Sequence, residues 1–237
     1  MVEAVIVVPC YNEAERFETE KFAEILENHP EITLLFVDDG SRDNTREILC
    51  GLCNCFDNAD LLVLEQNCGK GEAVRQGILK SMEYHPRFSG FYDADMSTDF
   101  DDMLQMLETA SHADLYVSGC RLARLGGQIT RSPLRHILGR VFASVVSVYL
   151  DLQVYDTQCG AKIFSAEIVP SLFRKKFATK WFFDVEILRR MLNIYGKEEL
   201  LKRSMEFPLH CWNDKSGSKI RYFSAFIDFL RLLCSKD

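Results

Sequence analysis

Two acids one residue apart, Asp93 and Asp95, follow the short apolar run Gly90–Tyr92. Residues i and i+2 leaving an extended strand project to the same side, so this pair can grip one divalent cation, with Ala94 between them. Carboxylate oxygens suit Mg2+ or Mn2+, and Mg2+ is commonly held by one or two carboxylates plus substrate phosphates. An ion in that position would neutralise a diphosphate leaving group as a sugar–phosphate bond breaks. Lys70, in Gly69-Lys70-Gly71, and the backbone N–H groups beside it add positive potential for the same phosphates. Asp38 and Asp39 offer acceptors only, which suits donors on a base or ribose and not a phosphate.

These residues need a scaffold that brings them to one edge. Short apolar runs at Ala4–Val8, Ile32–Val37, Leu61–Leu64, Gly90–Tyr92 and Asp114–Ser118 read as strands. Helical spacing fills the gaps, at Phe17–Glu27, Thr45–Cys53, Glu72–Tyr84 and Phe100–Ala110. Such alternation predicts an α/β fold, a mostly parallel sheet flanked by helices. In open sheets of this kind ligands bind beyond the carboxyl ends of the strands. Four polar segments fall there: Pro9–Glu13, Asp38–Thr45, Asn67–Glu72 and Asp93–Asp95. Further on, the pattern predicts a helix over 131–151, a strand pair or a strand and turn over 155–164, and helices over 181–193 and 219–234.

Bulk properties narrow the class. A net charge of −7 disfavours nucleic-acid binding, which needs a basic surface. Nine scattered cysteines, no secretory leader and no apolar run of spanning length predict a reduced, cytoplasmic protein whose cysteines are mostly small buried hydrophobes. Cys50-x-x-Cys53-x-Cys55 lacks the second ligand pair of a zinc site. No G-x-G-x-x-G follows the first strand, which disfavours a dinucleotide oxidoreductase.

Taken together, Val8-Pro9-Cys10-Tyr11-Asn12-Glu13, Val37-Asp38-Asp39-Gly40-Ser41, Gly69-Lys70-Gly71-x-Ala73-Val74-Arg75 and Asp93-Ala94-Asp95 resemble glycosyltransferase family 2. Asp156-Thr157-Gln158-Cys159-Gly160-x-Lys162-x-Phe164, Trp181-x-Phe183-Asp184-Val185-Glu186 and Gly217-Ser218-Lys219 resemble its dolichyl- or polyprenyl-phosphate sugar synthases. The resemblance implies a GT-A fold and an inverting hexosyl transfer from a UDP- or GDP-sugar donor to a lipid phosphate acceptor. It implies that Pro9, Tyr11, Glu13 and Asp39 line the nucleoside site, that Asp93 contacts ribose or sugar, and that Asp95 contacts the cation. Arg121 matches a basic position near the donor or acceptor phosphate. Ser97-Thr98-Asp99 departs from the Pro or Gln that relatives often carry there, which leaves the sugar and base open.

Asp156 and Asp184 are the candidates for a third acidic role, against a turn for the first and a helix cap for the second. Gln158, Lys162 and Lys219 are expected along the acceptor groove. Arg131, with Arg135 and Arg140, is a candidate to hold a lipid phosphate. The transferase domain is expected over residues 1–219, and the apolar helix 220–237 to pack on the domain, on a second copy, or on the cytoplasmic face of a membrane. Two rivals stay open: transfer to a saccharide hydroxyl, which would need a general base, and nucleotidyl transfer on a related fold.

Overall fold

Strands β1 (Ala4–Cys10), β2 (Ile32–Asp38), β3 (Ala59–Val63) and β4 (Phe88–Tyr92) form where short apolar runs end in polar loops. A computed structural model describes residues 2–130, 132–213 and 228, with the side chains of 133–135 excepted. The later strands are β5 (Tyr116–Cys120), β6 (Gln128–Thr130), β7 (Ala161–Ser165), β8 (Ser204–Pro208) and β9 (Cys211–Asn213). The main sheet has the order β3-β2-β1-β4-β7-β5-β8, and β6 pairs with β9 separately. The α/β class expected from strand–helix alternation is what the chain adopts.

Contacts divide the chain into two compact units, residues 1–96 with 163–176, and residues 97–162 with 177–237. In the first unit β1 lies between β2 and β4, parallel to both. β2 in turn pairs in parallel with β3. The chain therefore steps outward from β1 to β3 and then returns across β1 to lay down β4. That reversal opens a crevice beyond the carboxyl ends of β1 and β4, the place where such sheets bind ligands. Pro9 has no N–H to give, and it sits past Val7, the last residue of β1 that pairs with β4. β1 and β2 are buried almost throughout, as expected of strands covered on both faces.

Helices α1 (Thr19–Asn28) and α2 (Thr45–Cys53) carry the chain between the first three strands, and α3 (Lys70–Ser81) returns it to β4. α3 lies close on the sheet through Gly77, where a Cβ would come within 2.4 Å of a Val7 methyl and 2.8 Å of a Val37 methyl. A short helix closes this unit: after β7, residues Val169–Phe173 make one helical turn and a half, and Arg75 Nη1 donates to the Phe173 carbonyl at 3.1 Å.

The second unit holds α4 (Phe100–Ala113), α5 (Pro133–Leu150) and a helix over Phe183–Arg203, which we label α7 after α6 (Val169–Phe173). Asp99 caps α4 through the Asp101 N–H. β5 and β8 pair in parallel from Tyr116–Ser204 to Cys120–Pro208. Of the two forms expected for 155–164, the structure adopts a turn and one strand. Expectation and structure part further on. Helix α7 runs on to Arg203, broken at Gly196, whose φ of 76° is not helical. β8 was unforeseen, because Ser204-Met205-Glu206-Phe207-Pro208 carries little apolar signal. The expected helix over 219–234 lies outside the described residues apart from Asp228, which is buried and accepts the Lys180 N–H at 3.2 Å.

Candidate active site

The loops after β1, β2 and β3 are tied to one another by backbone N–H groups bonded to short polar side chains. Asn12 N–H donates to Ser41 Oγ at 3.0 Å, and Arg42 N–H returns a bond to Asn12 Oδ1 at 2.9 Å. Glu13 N–H donates to Thr45 Oγ1, and Ala14 N–H to Asp43. Asp38 is fully buried and accepts from the Ser41 N–H and from Arg46 Nε. Asp39 accepts the N–H groups of Cys68 at 2.7 Å and Gly69 at 2.8 Å, and Asn67 Nδ2 at 2.9 Å. Both aspartates were expected to meet a base or ribose; within the protein they organise these loops. Between them and the next loop, Gly40 has φ 66° and no room for a Cβ, which would lie 2.5 Å from the Gln66 carbonyl carbon.

Asp93 leaves β4 into a turn closed by the Met96 N–H on the Asp93 carbonyl at 3.2 Å. Ala94 and Asp95 occupy that turn, so the two acids are presented by a tight reversal, and the strand alternation invoked for them does not apply. Both are partly exposed, with Ala94 buried between them. Lys70, the first residue of α3, forms an ion pair with Asp93. Arg16 is bonded to Glu13, and its charge is further stabilised by burial-opposed attraction to Glu13, Asp95 and Asp93, so its ordinarily high pKa is raised. Pro9, Tyr11, Glu13, Asp38, Asp39, Lys70, Asp93, Ala94 and Asp95 all belong to this first unit. Arg16 was missed, although it stands one helical turn past Glu13, a spacing that signals such pairs.

No group of three or more metal-ligating side chains occurs among the described residues. Two carboxylates on one turn nonetheless fit an ion whose remaining ligands are phosphate oxygens and water. Lys70 beside Asp93 shows that the position attracts positive charge.

The second unit holds a different assembly. Arg121, just past β5, clasps Asp156 with Nε at 2.6 Å and Nη2 at 2.7 Å, and adds its own backbone N–H at 3.1 Å. Gln158 N–H also reaches Asp156, at 3.2 Å. With these donors on both oxygens, Asp156 is a poor proton acceptor and a good clamp for Arg121. The guanidinium also lies 5.3 Å over the Trp212 ring. Behind the turn, Glu206 accepts the N–H groups of Asp156 at 2.7 Å and Tyr155 at 2.8 Å. Burial raises the Glu206 pKa, opposed by those two backbone bonds.

Lys162, expected along an acceptor groove, is fully buried. Its ammonium donates to the carbonyls of Cys159 at 2.6 Å and Thr157 at 3.0 Å and pairs with Asp184 at 2.9 Å. Two carbonyls accept hydrogen bonds from the ammonium, and the Asp184 carboxylate balances its charge. Asp184 lies inside the first turn of α7, with Phe182 at the cap, so it neither caps the helix nor reaches solvent. Lys162 and Asp184 are thus corrected to an internal brace for the turn over 156–160. Gln158 is half-buried and donates to the Trp181 carbonyl at 3.0 Å. Arg140, read as a lipid-phosphate candidate, instead donates to the Tyr155 carbonyl and stacks over that ring. Arg131 and Lys219 lie outside the described residues. Asp102 and His210, also unforeseen, meet at 2.6 Å and tie α4 to the segment after β8.

Burial raises the thiol pKa of Cys10, Cys120 and Cys159, the last to about 11, which keeps them protonated and unreactive. Cys50 and Cys55 are exposed.

The architecture defines the class first. Crystal structures of glucosyl-3-phosphoglycerate synthase from Mycobacterium tuberculosis superpose with a TM-score of 0.66 at 16% identity, covering 98% of this chain and 78% of that one. That structure contains Mn2+, uridine diphosphate and glucosyl-3-phosphoglycerate. The fold is GT-A. Residues 5–173 match Glycosyl transferase family 2, and the chain belongs to that family. Dolichyl-phosphate beta-glucosyltransferase of Dictyostelium discoideum is 33% identical over 245 residues, covering 95% of this chain and 71% of its own. A Trichomonas vaginalis dolichyl-phosphate beta-glucosyltransferase, ALG5C, is 31% identical over 234 residues, covering 93% of this chain. This chain spans 66% of the Trichomonas relative's length.

Proposed function

We propose that the chain transfers glucose from UDP-glucose to a polyprenyl or dolichyl phosphate, with inversion at the anomeric carbon. The observation that carries this reading is the Asp93–Asp95 turn with Lys70 beside it, at the crevice where the strand order reverses. Relatives named for dolichyl phosphate and glucose support the substrates. The donor base is supported by the UDP-bound structural neighbour. A β-linked product from an α-linked donor requires inversion.

In this reading an oxygen of the lipid phosphate attacks the anomeric carbon, and the bond to the nucleoside diphosphate breaks. The acceptor oxygen is already anionic near neutral pH, so no general base is required and positioning with charge stabilisation suffices. That agrees with Asp156 being engaged by Arg121. Asp93 and Asp95 would hold Mg2+ or Mn2+, which supplies charge neutralisation for the departing diphosphate. Lys70 then exchanges Asp93 for phosphate oxygens. The loops organised by Asp38 and Asp39, with Pro9, Tyr11 and Glu13, receive the nucleoside. Arg121, fixed by Asp156, and Gln158 orient the acceptor phosphate.

The test is a panel of nucleotide sugars with Mn2+ and a short prenyl phosphate, reading released nucleoside diphosphate and the glycolipid. UDP release dependent on both UDP-glucose and the prenyl phosphate is expected. Release of pyrophosphate, or product only with a saccharide hydroxyl acceptor, would overturn the assignment.

A further inference from the structure

The turn that carries Asp93 and Asp95 is already met by cations from two other loops of the first unit. Lys70, opening α3, pairs with Asp93. Arg16 comes from the turn after β1. The Glu13 carbonyl closes that turn, accepting the N–H groups of Arg16 at 2.9 Å and Phe17 at 2.8 Å. The Arg16 guanidinium sets Nε and Nη2 on the Glu13 carboxylate, and Glu13 is buried. Glu13 is itself pinned at its N–H, which donates to Thr45 Oγ1 at 2.8 Å. Arg16 is therefore a charge held in one place, since a two-pronged contact fixes the plane of the guanidinium. Beyond Glu13, the acids whose charges act on it are Asp95 and Asp93. Its Nη1 makes no hydrogen bond among the described residues. An ordinary surface pair at this spacing shows both ends to water. Here the acid is buried, and the cation keeps one edge open beside the acid turn.

We infer that Arg16 is a further donor-site residue which, with Lys70, keeps the acid turn from taking a divalent cation until a nucleoside diphosphate arrives. The inference rests on the reading of Asp93 and Asp95 as the cation's ligands. Charge carries it. Glu13, Asp93 and Asp95 set against Arg16 and Lys70 leave one net negative charge. A divalent cation alone would make the cluster positive and would face Arg16 and Lys70 at close range. A diphosphate alone would bring its charge against Asp93 and Asp95. Together the two ligands cancel. The cation takes the carboxylates, and Arg16 Nη1 and Lys70 are left to meet phosphate oxygens. Each ligand then raises the affinity for the other by the same factor.

Mn2+ binding to the full chain is to be followed by electron paramagnetic resonance, with and without UDP. Wild type is expected to bind Mn2+ weakly alone and about tenfold more tightly with saturating UDP. R16Q should bind Mn2+ alone roughly threefold to tenfold more tightly than wild type, because one opposing charge has gone. Its affinity for UDP in the presence of Mn2+ should fall about tenfold. These shifts have opposite signs, whereas a loosened fold would weaken both. R16K keeps the charge and should leave the affinity for Mn2+ alone near that of wild type. K70M changes a side chain about a third exposed, so it tests the same pattern should R16Q fold poorly. If R16Q and K70M leave binding of Mn2+ alone unchanged, or weaken it, the inference is overturned. In that case D95A still judges the reading beneath it. D95A that binds Mn2+ with UDP as wild type does would remove the acid turn as the cation's site.

Discussion

The two units place their charges under opposite physical regimes. In the first, Lys70 and Asp93 meet with about a third of each side chain exposed, on a turn that leaves Asp95 partly open as well. In the second, Lys162 and Asp184 meet with 0% and 7% exposure, and the ammonium also donates to two backbone carbonyls. An exposed pair contributes little to stability and can be traded for a ligand at small cost. A buried pair cannot be opened without stranding a charge in a medium that solvates it poorly. The comparison teaches that the Lys70–Asp93 pair of the first unit is free to exchange partners, whereas the second unit uses its ions to hold Arg121 and the 156–160 turn in one shape.

The largest effect follows from the buried pair. Lys162→Met should cost about 3–5 kcal/mol of folding stability, because Asp184 is left charged and unpaired in the interior. Urea unfolding measures it. The double variant Lys162→Met/Asp184→Leu should recover a good part of that loss, since two apolar groups leave no charge to solvate. A single variant within 1 kcal/mol of wild type, on the order of an exposed pair, would collapse the contrast between the units.

Asp95→Ala should do the reverse. Removing one of two candidate ligands is expected to lower kcat/KM for glucosyl transfer by roughly a hundredfold to a thousandfold. Stability should stay within about 0.5 kcal/mol, as for an ordinary surface substitution. Raising Mn2+ should restore part of the rate, which separates a weakened ion site from a damaged fold. An unchanged rate would remove the turn from the mechanism.

Arg121→Lys is intermediate. The lysine keeps the charge but loses the two-pronged contact with Asp156, at a cost of about 1.5–3 kcal/mol in transition-state stabilisation if Arg121 meets the acceptor phosphate. The loss should appear in KM for the prenyl phosphate and leave KM for the donor unchanged. An equal rise in both constants would place Arg121 elsewhere in the reaction.

Much of this could be read from residue order, for a definite reason. Apolar periodicity and polar strand ends are local signals, so β1, β2 and β4 and the loops after them were legible, and the turn acids with them. What organises the second unit is not local. Lys162 reads as a polar residue in a motif until Thr157, Cys159 and Asp184 close around it. Glu206 stands in a strand too short and polar to announce itself, yet it holds the backbone of Asp156. Spacing singles out Asp93 and Asp95 but not the turn that carries them, because Ala94 gives no sign of a reversal that Met96 completes with φ 50°.

The smallest effect sharpens the view of the second unit as a set of ions held at a cost. Burial raises the Glu206 pKa above the ordinary carboxylate value, and the N–H groups of Asp156 and Tyr155 only partly offset it. The folded protein therefore binds this proton more tightly than the unfolded chain does. In the window between the ordinary and the raised value the native state holds more protons, so this group favours folding increasingly as pH falls and loses that contribution as pH rises. Glu206→Gln cannot titrate. The stability difference between wild type and Glu206→Gln should therefore shift toward wild type as pH is lowered from neutral into the acidic range, measured by urea unfolding at each pH. A shift in the opposite direction would mean that the two backbone N–H groups stabilise the Glu206 carboxylate more than burial penalises it, and that this brace, like the Lys162–Asp184 pair, is built to keep its charge.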